Sequence, residues 1–318
     1  RQDISRSGQT GRNKNQRRSS RKGDPNVFDR PPKSLTRLGI HPRKSLGQNF
    51  LINEPILEEI AAAVVDDFAM DEIGVLEIGS GPGGLTESLA RRATPVIGVE
   101  IDEELCEIAR RRLQNYPDVT IIPANILDES PGRLMMEAGH SGPYVACGNL
   151  PYYITQPVIR HLLTAERPPD RIVTLVQREV AQRIAGGAGK ESLLSLSVKL
   201  YGQPKLLFEV SPSMFWPIPK VHSAVVLIDR KIKNDLGIDR TEFPDFIRAL
   251  QAGFAQPRKQ LHNGLSGSLG VGHQEITALL TSLGVDSTLR PQHLNMSDWV
   301  KIYVALKEKY QEILMIGE

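Results

Sequence analysis

The hexapeptide GNLPYY at residues 148–153 combines residue types that can hold and activate an exocyclic amine. The amine of adenine is a poor nucleophile because its lone pair is delocalised into the ring. If Asn149 Oδ1 and the main-chain carbonyl of Leu150 accept its two N–H bonds, the nitrogen is drawn towards tetrahedral geometry. Pro151 fixes the turn without an N–H of its own, and Tyr152 offers a ring on which an extruded base can stack. The alternative is an ordinary β-turn with aromatic cover.

A glycine-rich loop, EIGSGPGG at residues 77–84, includes the end of a short apolar run that is typical of a buried strand. Its spacing differs from the dinucleotide-binding pattern G-x-G-x-x-G and matches E-x-G-x-G-x-G, the first motif of methyltransferases that bind S-adenosylmethionine. Glycines let the loop backbone lie against the methionine and ribose parts of that cofactor, because no Cβ stands in the way. We therefore predict that Glu77, Gly79 and Gly81 bind the cofactor.

Two further polar residues follow the next two apolar runs. Glu100 ends one run, where a carboxylate can accept both ribose hydroxyls; the alternative is a surface residue of an acidic stretch. Asn125 follows the other run, at a place where this fold usually has an Asp that accepts a bond from the adenine amine. An amide oxygen accepts without full charge, so Asn125→Asp is expected to bind the cofactor at least as tightly. The predicted cofactor site also includes Ile101, Ile126 and Asn149.

The order of the remaining patterns predicts the fold. Helical spacings alternate with apolar runs at 75–78, 96–100, 119–122, 144–147 and 171–176, as in a doubly wound sheet. Two more runs, 206–210 and 223–228, have no long helix between them and should finish the sheet as an antiparallel pair. The fold class is therefore α/β, a Rossmann-like seven-stranded domain. Helical patterns at 243–254, 274–283 and 297–313 predict a smaller all-helical C-terminal domain.

The predicted domain limits are 1–36 for a basic tail, 37–231 for the Rossmann-like domain and 232–318 for the helical domain. In the first 22 residues Arg and Lys greatly outnumber Asp3, the only acid, so this stretch cannot form a core and is expected to be disordered. Three interpretations of the tail stay open: a solubilising segment or cloning remnant, an electrostatic arm for a polyanion, and an organelle transit peptide.

Composition limits the class of protein. The 318 residues carry a formal net charge of +2, and no apolar run approaches the roughly 20 residues of a membrane span. The first residues are too polar for a secretory signal, and two cysteines exclude a disulfide framework or a cysteine-based zinc site. We expect a cytoplasmic, monomeric protein that does not bind membranes, although organellar import stays open.

Five motifs together resemble the small-subunit ribosomal RNA adenine dimethyltransferases. They are KSLGQNFL at 44–51, EIGSGPG at 77–83, GNLPY at 148–152, QREV at 177–180 and FWPIPKVHSAV at 215–225, and the resemblance runs from about Leu38 to Tyr303. It implies a Rossmann-like enzyme that moves methyl groups from S-adenosylmethionine to N6 of two adjacent adenosines. The implied substrate is a hairpin near the 3′ end of the small-subunit RNA, methylated late in ribosome biogenesis. Such in-line transfer needs no metal, and we predict no metal site.

The resemblance also assigns roles to individual residues. It implies that Asn49 and Leu51, with Gln48 beside them, close over the methionine part of the cofactor. It implies that Phe215 sandwiches the target base opposite Tyr152; the alternative for Phe215 is core packing. The sequence departs from the family pattern at Asn125, which puts cofactor affinity in doubt. It departs again at ESLLSLS, residues 191–197, which affects only a helix start.

Basic residues outside the tail are the candidates for RNA binding. Affinity for RNA rests mainly on backbone charge, so these side chains could form a track for phosphates; the alternative is that each is a solvated surface charge. The predicted track consists of Arg43, Lys44, Arg178, Arg183, Lys220, Arg258, Lys259 and His262.

Two rival functions stay open at this point. Large-subunit RNA adenine dimethyltransferases that confer antibiotic resistance share the fold and the Asn-x-Pro-Tyr motif. Against that interpretation stand the long helical C-terminal region and Leu150, where those enzymes commonly have Ile. A non-enzymatic role in ribosome assembly or organellar transcription is the second rival, and intact Glu100 and Asn149 argue against a purely binding role.

Overall fold

A mixed seven-stranded sheet forms the centre of the structure, a computed structural model that describes residues 32, 35–36, 38–69, 72–187, 190–230 and 236–315, without the side chains of 311–315. Its strands are β2 (Gly74–Ile78), β3 (Val96–Glu100), β4 (Val119–Pro123), β5 (Tyr144–Asn149), β6 (Arg171–Gln177), β7 (Gln203–Val210) and β9 (Ser223–Asp229). A separate two-stranded ribbon contains β1 (Phe50–Leu51) and β8 (Phe215–Trp216). Most of the predicted basic tail and the predicted domain boundary at 231/232 lie outside the described residues.

The spatial order of the sheet is β4-β3-β2-β5-β6-β9-β7. The strands from β4 to β6 are parallel, whereas β9 runs antiparallel to both β6 and β7. The seven-stranded sheet with an antiparallel end, predicted from the sequence, is therefore confirmed. Because the parallel strands point the same way, their carboxyl ends meet at one edge, and the residues that follow them are brought together there.

Helices cover both faces of this sheet and form the C-terminal region. Helix α1 (Glu54–Val65) precedes the first strand of the sheet, and the helices between later strands are α2 (Gly84–Ala90), α3 (Glu103–Arg112), α4 (Pro131–Glu137), α5 (Thr155–Thr164), α6 (Arg178–Ala185) and α7 (Leu193–Tyr201). The C-terminal helices are α8 (Phe243–Phe254), α9 (Leu261–Leu269), α10 (His273–Ser282) and α11 (Met296–Met315). No helix among the described residues is both long enough and apolar enough to span a membrane.

The departure at residues 191–197 is a helix start, as the sequence indicated. Ser192 caps α7: its Oγ accepts from Ser195 N, while Ser195 Oγ accepts from Ser192 N. Further along, Leu196 and Leu200 are buried in the same apolar cluster as Phe246 and Trp299 of the C-terminal helices. Helix α7 therefore packs against both the C-terminal helices and the sheet. The boundary between the two regions is less sharp in the packing than in the sequence patterns.

The two-stranded ribbon brings the N-terminal segment over the carboxyl edge of the sheet. Phe50 pairs with Trp216 in register, and their rings stack with centroids 6.4 Å apart. Leu35 and Ile40, each 5% exposed, pack in the same cluster. Leu35 lies within the tail predicted for residues 1–36, and in the structure its side chain packs against this apolar cluster.

Candidate active site

Two adjoining cavities lie at the carboxyl edge of the sheet. The larger, of about 250 Å³, is lined by residues of the N-terminal segment, the glycine loop, the ends of β3 to β5 and the GNLPYY turn. The smaller, of about 140 Å³, shares Phe50, Gly79, Gly81 and Asn149 with it. The structure thus brings together Gln48, Asn49, Leu51, Glu77, Gly79, Gly81, Glu100, Ile101, Asn125, Ile126, Asn149, Leu150, Pro151 and Tyr152 around these cavities.

The glycine loop turns sharply after β2. Gly79 and Gly81 have φ angles of 73° and 54°, a region that side chains with a Cβ rarely adopt. The main-chain N–H of Gly79 donates to Val99 O over 2.8 Å, which ties the loop to β3. A different constraint acts at Gly148, where a Cβ would lie 2.2 Å from Ile78 O. Glycine is required there because β5 passes so close to the end of β2, and this close approach delivers Asn149 to the pocket.

Glu100 is held by main-chain amides at the end of β3. Its side chain accepts from Gly81 N over 2.9 Å and from Asp102 N over 3.0 Å, and the residue is 7% exposed. Burial nevertheless raises the pKa of this carboxyl above its ordinary value, and the amide bonds oppose that shift. Glu100 is the only charged residue among the described residues that line the larger cavity. Each oxygen of this carboxylate accepts one main-chain N–H bond and has a further lone pair, so the side chain could also accept bonds from two hydroxyl groups.

Glu77 lies deeper, on β2, and lines the smaller cavity. It is 1% exposed, and its Oε2 has no hydrogen-bond partner among the described residues. Burial raises the pKa of Glu77 to about 8; the nearby Thr86 hydroxyl opposes this shift and the charge of Glu100 adds to it. An unpaired buried oxygen is costly unless a ligand or proton satisfies it, so Glu77 marks a place where a cationic or N–H donor group would be stabilised.

The N-terminal segment around Gln48 lies over the larger cavity and is called the cover. It is held there by a polar network of Arg43, Gln48 and Asp102, the cover network. Gln48 Nε2 donates to Asp102 Oδ2 over 3.0 Å, and Gln48 Oε1 accepts from Arg43 N over 2.7 Å. The Arg43 guanidinium lies 3.3 Å from the same Asp102 carboxylate. Asp102 is 3% exposed and caps α3. The network therefore joins the cover to the strand end that carries Glu100.

Asn149 also touches the cover. Its Nδ2 donates to Asn49 O over 2.9 Å. A carbonyl oxygen can only accept, so this hydrogen bond turns the amide nitrogen towards the cover and leaves Oδ1 on the other side. Among the described residues Oδ1 has no hydrogen-bond partner, and it is the acceptor that the sequence analysis predicted for an exocyclic amine. The role of Oδ1 as an amine acceptor stays a prediction, and the observed hydrogen bond leaves this oxygen available for it.

The aromatic residues of the predicted base site differ in position. Tyr152 is half-buried in the larger cavity, and its hydroxyl lies 3.2 Å from Ser223 Oγ. Phe215 is 2% exposed, packs in the core beneath α1 and lines neither cavity. This arrangement does not bring Phe215 to the base site, because its pairing with Leu51 turns it into the core. A role against the base would require the ring to be uncovered, and it stays a prediction.

Asn125 is engaged on both sides of its amide. Its Oδ1 accepts from Leu127 N over 3.2 Å, and its Nδ2 donates to Asp128 Oδ2 over 2.8 Å. The residue lines the larger cavity, so its position agrees with the predicted site. The expectation that Asn125→Asp restores a favourable charge is revised, however, because the new carboxylate would face the carboxylate of Asp128 at hydrogen-bond distance.

The predicted RNA-binding residues divide into four groups, and Arg183 alone forms one of them. Arg43 and Lys44 are exposed beside the cover, and Arg178 and Lys220 are exposed near His222, whose main-chain oxygen accepts from Arg178 N. Arg43 and Arg178 also pair with acidic residues, so part of their charge is neutralised. In the C-terminal region lie Arg258, Lys259 and His262, none of which lines the cavities; His262 Nδ1 is 2.8 Å from Ser287 O.

Arg183 belongs to a separate groove of about 660 Å³ between α5, α7 and α8, the arginine groove. Its wall includes Arg160, Arg183 and Tyr201, and Leu127 lines both the groove and the larger cavity. Arg160 and Arg183 are exposed and form no ion pair with the described residues. The sequence analysis missed Arg160, although the apolar positions 158, 159, 162 and 163 of α5 leave it on the exposed side. It also missed Asp102, whose place before Glu103 and Glu104 is typical of a helix cap.

These residues suit S-adenosylmethionine, a cation with a sulfonium, an ammonium and a ribose diol. Buried carboxylates are provided by Glu77 and Glu100, and only the former has an oxygen without a partner among the described residues. Apolar side chains of Ile101, Leu105 and Ile126 line the part of the cavity near Asn125, where a purine ring could lie. The donor set and the shape of the pocket thus fit the group that the sequence motifs imply.

Known proteins resemble this chain in sequence. The family model for ribosomal RNA adenine dimethylases matches residues 40–308. A protein of Dehalococcoides mccartyi strain CBDB1 named ribosomal RNA small subunit methyltransferase A is 39% identical over 260 residues, which are 82% of this chain and 87% of that protein. The protein of the same name from Desulfitobacterium hafniense strain DSM 10664 / DCB-2 is 39% identical over 271 residues, 84% of this chain and 93% of its own.

Two solved structures share the fold. A dimethyladenosine transferase from Plasmodium falciparum superimposes with a TM-score of 0.67 at 24% identity, covering 82% of this chain and 98% of its own. The 23S rRNA methyltransferase ErmE superimposes with a TM-score of 0.65 at 23% identity, covering 81% and 99%. At such identities the likeness concerns the fold alone.

Proposed function

The chain belongs to the ribosomal RNA adenine dimethylase family, whose members are S-adenosylmethionine-dependent RNA methyltransferases, and on that premise we propose its substrate and the roles of its residues. The substrate is small-subunit ribosomal RNA, in which N6 of two adjacent adenosines of the 3′-terminal hairpin receives the methyl groups. The product is N6,N6-dimethyladenosine. The relatives that are 35% to 39% identical to this chain and bear a small-subunit name support this choice.

The observation that carries the proposal is the orientation of Asn149. Its Nδ2 is occupied by Asn49 O, so Oδ1 is the polar atom left to accept an N–H bond from the target amine. With the carbonyl of Leu150 as second acceptor, the amine nitrogen would be held with its lone pair directed away from both oxygens. Positioning of this kind supplies much of the acceleration in a displacement reaction, and preorganised acceptors act without reorganisation at the moment of transfer.

When bound, S-adenosylmethionine supplies an electrophilic methyl group on a positively charged sulfur. Glu100 accepts the ribose hydroxyls, Glu77 stabilises the cationic methionine end, and Gly79 and Gly81 let the backbone approach. Asn125 and Ile126 hold the adenine end, and the cover excludes water from the larger cavity. Tyr152 supports one face of the target base, with its ring fixed by the contact between its hydroxyl and Ser223 Oγ.

Cations around the cavity support binding of an RNA backbone. Lys44 and Lys220 are exposed and form no ion pair with the described residues. The arginine groove continues from Leu127 with Arg160 and Arg183, neither of which is paired within the described part of the chain. RNA that enters the cavity with one extruded base could therefore have its phosphates neutralised by these cations. We further propose that the substrate is an assembling small subunit and that the protein acts as a cytoplasmic monomer.

The rival substrate is large-subunit RNA. The likeness to ErmE rests on 23% identity and concerns the fold alone, whereas the small-subunit relatives share 39% of residues over more than four-fifths of the chain.

The test uses cofactor labelled in its methyl group and ribosomal particles that lack the modification. Unmethylated small subunits, large subunits and intact ribosomes are incubated separately with the full chain, and labelled nucleotides are identified by digestion and mass spectrometry. We expect N6,N6-dimethyladenosine in the small subunits only. Label in the large subunits would favour the rival substrate, and no label in any particle would favour the non-enzymatic role. Asn149→Ala serves as the control for transfer.

A further inference from the structure

Tyr153 is a large aromatic side chain that the fold leaves in solvent. It is 61% exposed, and it is the only aromatic residue among the exposed large apolar residues that the structure describes. The two residues beside it have structural partners: the Tyr152 hydroxyl contacts Ser223 Oγ, and Ile154 packs against the core. Tyr153 itself forms no hydrogen bond with the described residues. A single exposed ring is common on protein surfaces, so a role for Tyr153 depends on its place at the cavity.

The position of Tyr153 narrows what it could bind. The ring stands at the mouth of the larger cavity, next to Gly47, where a Cβ would lie 3.6 Å from Tyr153 Cε1. Gly47 ends the short turn Lys44–Leu46, so the exposed Lys44 lies in the same part of the rim. An aromatic face beside a cation is the combination that binds a nucleotide, with the base on the ring and the phosphate near the ammonium.

We propose that Tyr153 stacks against the nucleobase next to the target adenosine in the bound RNA, an inference that rests on the proposed function. Extrusion of one base from a strand removes the stacking partner of its neighbour, which costs a few kcal/mol. A ring at the mouth of the cavity replaces that partner only in the complex with the base extruded. The target base itself is separated from Tyr153, since its predicted partners Asn149 and Tyr152 lie within the cavity.

The same surroundings suit a second role for the ring, namely that Tyr153 packs on Gly47 and helps to keep the cover closed. The two roles predict different effects of Tyr153→Leu. Removal of a stacking partner weakens the reaction of RNA and leaves cofactor affinity unchanged, whereas a loosened cover weakens cofactor binding. Tyr153→Phe retains the aromatic face and should behave like the wild-type protein.

The experiment combines these variants with altered RNA. Small subunits are reconstituted with RNA in which the nucleotide on the 5′ side or the 3′ side of the scored adenosine is abasic. Tyr116→Leu is the matched control, because Tyr116 is a half-buried tyrosine just before β4, at the opposite edge of the sheet. Single-turnover kcat/KM is measured for each protein and substrate, cofactor affinity is measured by calorimetry, and thermal unfolding checks that the variants fold.

With intact RNA we expect Tyr153→Leu to lower kcat/KM by roughly 5- to 150-fold, the range for one stacked base. With one of the two abasic RNAs, kcat/KM of the wild-type protein should fall by about the same factor. On that RNA, Tyr153→Leu should cause no further decrease in kcat/KM. Equal decreases from Tyr153→Leu on intact and both abasic RNAs, no decrease at all, or weakened cofactor binding would overturn the inference. Failure of the proposed function is recognised separately, because the wild-type protein would then not methylate intact small subunits, and the inference would fall with it.

Discussion

The side-chain amide of Asn149 donates to the main-chain oxygen of Asn49 over 2.9 Å and so joins the predicted amine acceptor to the cover of the cofactor cavity. The two residues are 100 positions apart in the chain, and β1 and β5 carry them to the same edge of the sheet. One side chain thereby has a place in both halves of the proposed reaction: its nitrogen donates to the cover, and its oxygen is the proposed acceptor for the target amine. Substitution at this position should affect both functions, but by different amounts.

We expect Asn149→Ala to slow methyl transfer by about 10²- to 10³-fold, the usual effect of removing one preorganised hydrogen bond of the transition state. Cofactor affinity should fall by only about 1 kcal/mol, since one hydrogen bond to the cover is removed. Single-turnover methylation and calorimetry measure the two effects separately. If the variant transferred both methyl groups at a rate near that of the wild-type protein, GNLPYY would be an ordinary β-turn and the proposed role of Asn149 would be wrong.

Glu100→Ala should weaken cofactor binding by roughly 1 to 3 kcal/mol, because charge-assisted bonds to the ribose disappear together with those from Gly81 N and Asp102 N. Glu100→Gln is the matched control: its amide oxygen can still accept one of these bonds, so it should bind more tightly than Glu100→Ala. Calorimetry on folded proteins distinguishes the two. Unchanged affinity in both variants would remove Glu100 from the cofactor site.

Asn125→Asp should weaken cofactor binding by about three- to tenfold, since Asp128 Oδ2 lies 2.8 Å from the present amide nitrogen and partly exposed like charges repel modestly. Combining it with Asp128→Asn should restore affinity, because the donor and the carboxylate then exchange places. Calorimetry of the two single variants and the double variant forms a cycle. If Asn125→Asp alone bound more tightly than the wild-type protein, Asp128 would not be the partner that matters.

Stability without cofactor should fall as the pH rises. Burial raises the pKa of Glu77 to about 8. Between the ordinary value of 4.5 and about 8, the folded protein therefore binds more protons than the unfolded chain. The free energy of unfolding should then decrease by up to about 1.4 kcal/mol per pH unit from this group. Urea unfolding from pH 5 to 8 should show this slope, and Glu77→Gln should remove it. The control is Glu59→Gln, on the surface of α1, and an equal slope in both variants would contradict the assignment.

RNA affinity should fall steeply with salt, and the slope should report which cations meet phosphates. Neutralising Arg160 and Arg183 together should reduce the slope by about one unit for each phosphate that is no longer bound. Charge reversal of Arg258 and Lys259 should act similarly if the C-terminal region shares the interface. The control is Arg133→Gln on α4, whose guanidinium is 61% exposed and paired with Glu129. A slope unchanged by all these substitutions would place the RNA elsewhere.

The sequence determined the architecture because local patterns are strong where strands are fully buried. The runs at 75–78, 96–100 and 144–147 are largely apolar on both faces, as parallel strands require, and all three are strands of the sheet. Because these strands are parallel neighbours, their carboxyl ends lie at the same edge of the sheet. Gly79, Glu100 and Asn149 each end or follow one of the strands and are therefore brought together there. The ribbon of β1 and β8 was not predicted, because two residues a strand give no periodicity.

Only the tertiary structure decided how individual side chains are used. Phe215 and Tyr153 are aromatic residues of motifs that adjoin the predicted base site, yet one is 2% exposed and the other 61%. Their sequence neighbourhoods do not distinguish them, because burial depends on which distant element covers a ring. The same reason applies to Asn125. The sequence shows that this residue departs from the family pattern, but only the folded structure shows that its Nδ2 lies 2.8 Å from Asp128 Oδ2. Residue types and strand order are local information, whereas hydrogen-bond partners and exposure are set by how the folded segments pack together.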